Sequence, residues 1–164
     1  MRSAMKVVFA ASLILFSVAA FAQSAAEKEA VSVIEKYWQA RHDRDFATQV
    51  SLMSDKGTLD ANSDGTFFRT SPKVSAEELE AQIPGSNSTS VYYPEATELA
   101  AGVVLVRYYL EGVIESPAGT VPNYRTRVTT TLVRESGSWK VRAWHFSPLH
   151  DGGHHLTTKT DFED

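Results

Sequence analysis

From Ala26 to Arg41 the apolar residues Ala30, Val33, Ile34, Tyr37 and Trp38 recur at helical spacing, which predicts an amphipathic helix that buries two large aromatic rings. A shorter helix follows. Asp43 or Asp45 stands where a cap is needed, Phe46, Val50 and Met53 lie at i, i+4 and i+7, and Gly57 ends the pattern. The third helix is the best marked: Ser75 and Glu78 form a capping box, Val74 and Leu79 occupy the positions of a hydrophobic staple, and Ile83 precedes Pro84-Gly85. Between the second and third helices, Thr58 to Ala61 and Thr66 to Arg69 flank Asn62-Ser63-Asp64-Gly65, a turn signal that predicts a short hairpin.

After Ser88 the pattern changes to β-rich runs: Thr89 to Leu99, Val103 to Glu115, Thr120 to Arg134 and Trp139 to Leu149. Each gap between them is short enough for a hairpin, so the runs predict a sequential antiparallel meander. Runs so much longer than an ordinary strand imply that the sheet bends. Helices first and a long curved antiparallel sheet after them make an α+β plan, with three N-terminal helices packed on one sheet face.

The first residues stand outside this plan. Arg2 and Lys6 precede an uncharged apolar run from Val7 to Ala20, and Ala20-Phe21-Ala22 offers the small-x-small pattern of a cleavage site. The expectation is a signal peptide over 1–22, a domain over 23–149 and a flexible tail over 150–164, with a periplasmic or secreted location. A spanning helix needs about 20 predominantly apolar residues, and Gln23 and Ser24 end this run, so no membrane insertion is expected after cleavage. The chain has no cysteine, which excludes disulfides and a lipid-anchored lipoprotein, so stability must come from a core. Loss of the leader removes Arg2 and Lys6 and no acid, taking the formal net charge of −4 down by two to −6. That balance, without a basic block, argues against nucleic acid as a partner.

Three stretches carry a resemblance to a known family: Ile34-Glu35-Lys36-Tyr37-Trp38 through Arg44-Asp45-Phe46, Val104 to Tyr109, and Arg127 to Ser147 with its ending Gly137-Ser138-Trp139-Lys140-Val141-Arg142-Ala143-Trp144-His145-Phe146-Ser147. From about Ala26 to Pro148 the chain resembles the nuclear transport factor 2-like superfamily, and within it the SnoaL-like proteins and the calcium/calmodulin-dependent kinase association domain. The resemblance implies a conical cavity between helices and sheet and pairing of two subunits through the outer sheet face. It does not by itself imply an activity.

By resemblance to the steroid isomerases of that superfamily, Tyr37 stands where an oxyanion-hole tyrosine would, eight residues before Asp45. The general-base position falls on Ala61, with Asp60 adjacent but turned to the opposite face by strand alternation, and the second acid falls near Thr130. His145 is a titratable candidate that alternation places on one face with Trp139, Val141, Ala143 and Ser147; it is either a cavity base or a buried histidine with satisfied nitrogens. Arg107 lies in an apolar run with Val103, Leu105 and Tyr109, where it must meet an acid such as Asp60 or Glu111 or an anionic ligand. By resemblance to the kinase association domain, an arginine at this position lines the cavity. Arg125 and Arg127 are expected on the solvent or dimer side.

The expected function is a homodimeric, non-catalytic small-molecule-binding module, with Tyr37, Arg107, Tyr109 and His145 contacting a small organic ligand that is anionic if Arg107 receives it. One alternative is a SnoaL-like isomerase, cyclase or hydratase using His145 with Asp60 or Tyr37; another is an oligomerisation domain whose cavity is filled. His150, His154 and His155 match no rigid metal-ligand spacing, so no metal is expected, and no cofactor motif is present.

Overall fold

The computed structural model describes residues 23–61, 69–83, 85–116 and 119–149. The expected signal peptide, the hairpin turn and the tail with His150, His154 and His155 lie outside the described residues.

Three helices and six strands follow one another as the patterning predicts. Helix α1 (Ala25–His42) begins at a capping box in which Ser24 and Glu27 satisfy each other's backbone N–H groups, and it buries Ala30, Ile34, Tyr37, Trp38 and Ala40. Helix α2 (Phe46–Ser51) is capped by Asp45, whose carboxylate accepts from the Thr48 N–H. Of the two candidate caps, Asp45 is the one used. Strand β1 (Thr58–Ala61) pairs antiparallel with β2 (Arg69–Ser71), as the hairpin requires; of the expected second arm, Thr66 to Arg69, only Arg69 lies within the described residues. Helix α3 (Ala76–Gln82) has the expected Ser75–Glu78 capping box and buries Leu79.

The long runs become β3 (Asn87–Ala100), β4 (Val103–Ser116), β5 (Gly119–Glu135) and β6 (Ser138–Pro148). They form the expected antiparallel meander, and β1 adds to its edge parallel to β6, giving the order β2-β1-β6-β5-β4-β3. Register shifts interrupt β3 between Tyr92 and Glu95 and between Glu98 and Ala100, β5 between Val121 and Tyr124, and β6 at Arg142. Each inserts a residue without a direct partner, which bends the strand and raises its local twist.

One face of the meander carries Val104, Val106, Tyr108, Leu110, Val128 and Leu132, which pack with Ile34 and Trp38 of α1 into the core. Burial of the Trp38 indole and the Tyr108 phenol demands partners for their polar ends. Trp38 Nε1 donates to the Tyr108 hydroxyl at 2.8 Å, and that hydroxyl lies 3.3 Å from Thr130 Oγ1. A polar chain thus pins α1 to the middle of the sheet.

Candidate functional site

Beyond the Trp38–Tyr108 contact, α1, α2, α3 and the sheet line a cavity of about 800 Å³ that is open to solvent on one side. Its walls are aromatic and aliphatic where Tyr37, Trp38, Leu110, Trp144 and Phe146 meet, and polar where Arg41, Gln49, Thr58, Asp60, Ser71 and Asn87 enter. Tyr37 and Trp144 have ring centroids 4.8 Å apart, and Trp144 stacks on Phe146 at 5.9 Å. A volume of this size suits a small organic molecule.

Four polar side chains define the chemistry of the cavity. Tyr37 comes from the buried stripe of α1, and burial pushes its hydroxyl up to about 12 despite the nearby Arg41 charge and the Gln49 amide. It therefore stays protonated as a hydrogen-bond donor at neutral pH. Arg41, one turn further along α1, has a buried Nε without a partner, and desolvation lowers its pKa ahead of the opposing effect of Tyr37. Gln49 on α2 is only 1% exposed, and its Oε1 is likewise unpartnered.

Asp60 on β1 is held by two hydroxyls: Ser71 Oγ donates to its Oδ2 at 2.7 Å and Thr58 Oγ1 donates to the same oxygen at 3.2 Å. Its other oxygen, Oδ1, is buried without a partner. The expectation that Asp60 faces away from the cavity is corrected. Thr58 is 1% exposed and Leu59 is 45% exposed, so the parity of β1 puts Thr58 and Asp60 together on the inner side without any bulge.

His145 moves the other way. Trp139 and Val141 are buried, but β5 pairs Leu132 with Val141 and Thr131 with Ala143, leaving Arg142 as an inserted residue. After this bulge the parity reverses, so Trp144 faces the core and His145 is exposed on the outer face. The position of the bulge has a cause. Val141 exchanges backbone hydrogen bonds with Leu52 and Ser54, while Ala143 to His145 pair with β1, and Arg142 spans the change of partner by donating to the Gly57 carbonyl at 2.8 Å.

Arg107 and Tyr109 also lie on the outer face, because Val106, Tyr108 and Leu110 take the inner positions. Arg107 meets neither Asp60 nor Glu111; its Nη2 donates to Glu95 at 2.7 Å, in a largely exposed pair. It borders a shallow groove with Tyr93, Tyr109 and Arg127. Arg125 and Arg127 are exposed there too, on the expected side. Of the residues expected to contact a ligand, the cavity therefore holds Tyr37 alone, joined by Asp60 from the enzymatic alternative. Thr130, where the second acid would fall, is fully buried against Tyr108. Among the described residues no cluster of His, Asp and Glu could hold a metal ion.

Arg41 and Gln49 escaped the sequence reading. Arg41 does stand four residues after Tyr37 on the same helical face, which was the available signal.

No protein-family model matches the chain, and no curated protein matches it by sequence. Solved structures do match it in shape. A ketosteroid isomerase-like protein from Erwinia carotovora atroseptica superposes with a TM-score of 0.63 at 16% identity, covering 78% of this chain and 99% of that one. The chain has the nuclear transport factor 2-like fold. An NTF2-like protein of unknown function from Pseudomonas putida aligns at 22% identity with a TM-score of 0.57, over 80% of this chain and 92% of that one. The association domain of CaMKII from C. elegans aligns at 16% identity and TM-score 0.56, over 73% of this chain and 93% of that one. At such identities the nuclear transport factor 2-like fold is shared, and activity does not follow from it.

Proposed function

We propose that this is an exported small-molecule-binding domain whose ligand occupies the cavity beside Tyr37, Arg41, Gln49 and Asp60. One observation carries the reading. Among the described residues three buried side-chain atoms lack a hydrogen-bond partner, Arg41 Nε, Gln49 Oε1 and Asp60 Oδ1, and all three belong to residues that line this one cavity. Buried polar atoms are ordinarily satisfied, and unpaired ones each cost on the order of 1–3 kcal/mol. Their concentration around a cavity is the pattern of a site completed by a bound molecule. A cavity of about 800 Å³ also counts against an interior filled by side chains.

Export rests on the leader, and pairing of two copies rests on the outer sheet face, where Tyr92, Tyr93 and Tyr109 are exposed. Native mass spectrometry of the protein purified gently from its host tests all three parts together. The expected spectrum shows a dimer that starts at Gln23 and retains a small organic molecule, which is lost in D60N. An empty cavity in freshly isolated wild-type protein would count against binding.

A second reading is favoured by Asp60 itself, a carboxylate fixed by Thr58 and Ser71 in the same cavity as a protonated tyrosine. In this reading Asp60 removes a proton α to a carbonyl and Tyr37 donates to the enolate oxygen. The similarity of fold to the ketosteroid isomerase-like protein supports it. The test is conversion of a β,γ-unsaturated ketone to its conjugated isomer, followed by ultraviolet absorbance. Turnover abolished in D60N supports catalysis, whereas binding without turnover leaves the domain a carrier.

A further inference from the structure

The three unpartnered atoms differ in chemistry, and the difference selects a ligand. Arg41 Nε is a donor, while Gln49 Oε1 and Asp60 Oδ1 are acceptors. A molecule that satisfied all three would offer an acceptor at one point and a donor at another.

Among the arginines whose side chains are described, Arg41 is distinguished by what it lacks. Arg44, Arg107, Arg125 and Arg134 are all well exposed, and each has a carboxylate partner. Arg127 donates to Ser147 and Arg142 to a backbone carbonyl. The Arg41 side chain is half-buried in the cavity wall with no hydrogen bond or ion pair to any described residue, and the charged residue that acts on it is Arg44, of like sign. A guanidinium whose Nε is buried without an acid beside it gains from an arriving anion. Asp60 does not supply it. Both line the same cavity as Tyr37, yet the two do not pair.

We propose, building on the binding reading above, that the ligand is an amphipathic organic acid with a second hydrogen-bond donor: its carboxylate meets Arg41, its hydroxyl or ammonium group meets Asp60 and Gln49, and its apolar body lies against Trp144 and Phe146. The charge balance favours a carboxylate over a phosphate. Among the described residues the cavity lining holds one guanidinium and one carboxylate, so with these a monoanion leaves a single excess negative charge and a dianion two. A hydroxy acid and an amino acid share the required chemistry, and the experiment separates them.

Isothermal titration uses four probes with one phenylpropyl body: 3-phenyllactate, phenylalanine, 3-phenylpropionate and 3-phenyl-1-propanol. At neutral pH and millimolar probe, 3-phenyllactate or phenylalanine should bind about tenfold or more tightly than the alcohol, with 3-phenylpropionate between them. R41Q should remove the advantage of the acids. R41K, which keeps the charge but loses the planar fork, should retain part of it and serves if R41Q does not fold. R107Q, on the outer face, should bind as wild type does. Equal binding of the alcohol, an acid preference that survives R41Q, or one lost in R107Q would overturn the inference while leaving a small-molecule cavity intact. Saturable binding by none of the four also overturns it, and the retained-ligand mass spectrum then decides the binding reading separately.

Discussion

Asp60 and His145 show how one residue of strand parity decides chemistry. Both are titratable and both lie within reach of a sequence argument, yet they sit on opposite faces of adjacent strands: Ala61 is paired with His145 and Asp60 with Trp144. His145→Ala is therefore expected to leave ligand retention and the unfolding midpoint nearly unchanged, the effect staying within about 0.5 kcal/mol as for other exposed positions. Loss of ligand in that variant, read by native mass spectrometry, would place the site elsewhere. Tyr37 gives a prediction about pH. Its hydroxyl has an ordinary value of 10.0 and is raised to about 12 in the fold by burial, and Tyr108 is raised in the same direction for the same reason. A raised tyrosine means that the folded chain holds the proton more tightly than the unfolded one. The stability it contributes is complete below pH 10 and is lost as pH climbs from 10 towards 12. Denaturant midpoints should fall over that window, and Y37F should fall less steeply because Tyr108 alone remains. Composition and spacing identified Tyr37 as an inward aromatic, but no local signal announces that a strand will carry a bulge at Arg142.

The elements owe their ends to local chemistry and their places to contacts from afar. Capping boxes at Ser24–Glu27 and Ser75–Glu78 were legible because the pattern is complete within four residues. S75A should cost about 1 kcal/mol, measured by chemical denaturation. Its consequence extends to the cavity, because α3 forms one wall and is tied to the α1–α2 turn by Arg44, which donates to the Gly85 carbonyl at 2.8 Å and to Glu80 at 3.3 Å. The sheet has its own sensitive point at Gly112. Its φ of 154° is accessible to glycine, and a Cβ there would lie 2.1 Å from the Ser88 carbonyl oxygen across the β3–β4 pair. G112A is expected to destabilise by roughly 3 kcal/mol or to prevent folding, because backbone on a neighbouring strand cannot yield as a flexible side chain does. That glycine was read only as part of a strand, since the clash partner lies more than twenty residues away in sequence.

At the scale of the molecule, one hydrogen-bonded chain joins the helical layer to the sheet. Y108F removes the acceptor of the buried Trp38 indole and the neighbour of Thr130 Oγ1, and should lower stability by about 1–3 kcal/mol through the unsatisfied groups it leaves. A change below a few tenths of a kcal/mol would mean that water replaces the phenol oxygen. The order of helices and strands, their caps and the hairpin connections follow from hydropathy period and turn residues, which act within a few positions, so the chain alone determined the α+β plan. The β1–β6 pairing, the bulge that turns Trp144 inward and His145 outward, and the assignment of Arg107 to Glu95 depend on partners far apart in sequence. Only the tertiary structure could decide them. The same holds for the site, where Tyr37, Arg41, Gln49 and Asp60 come from three separate elements and meet because α1, α2 and β1 close around one cavity. Local pattern sets which residues can face inward, and long-range register sets which of them face one another.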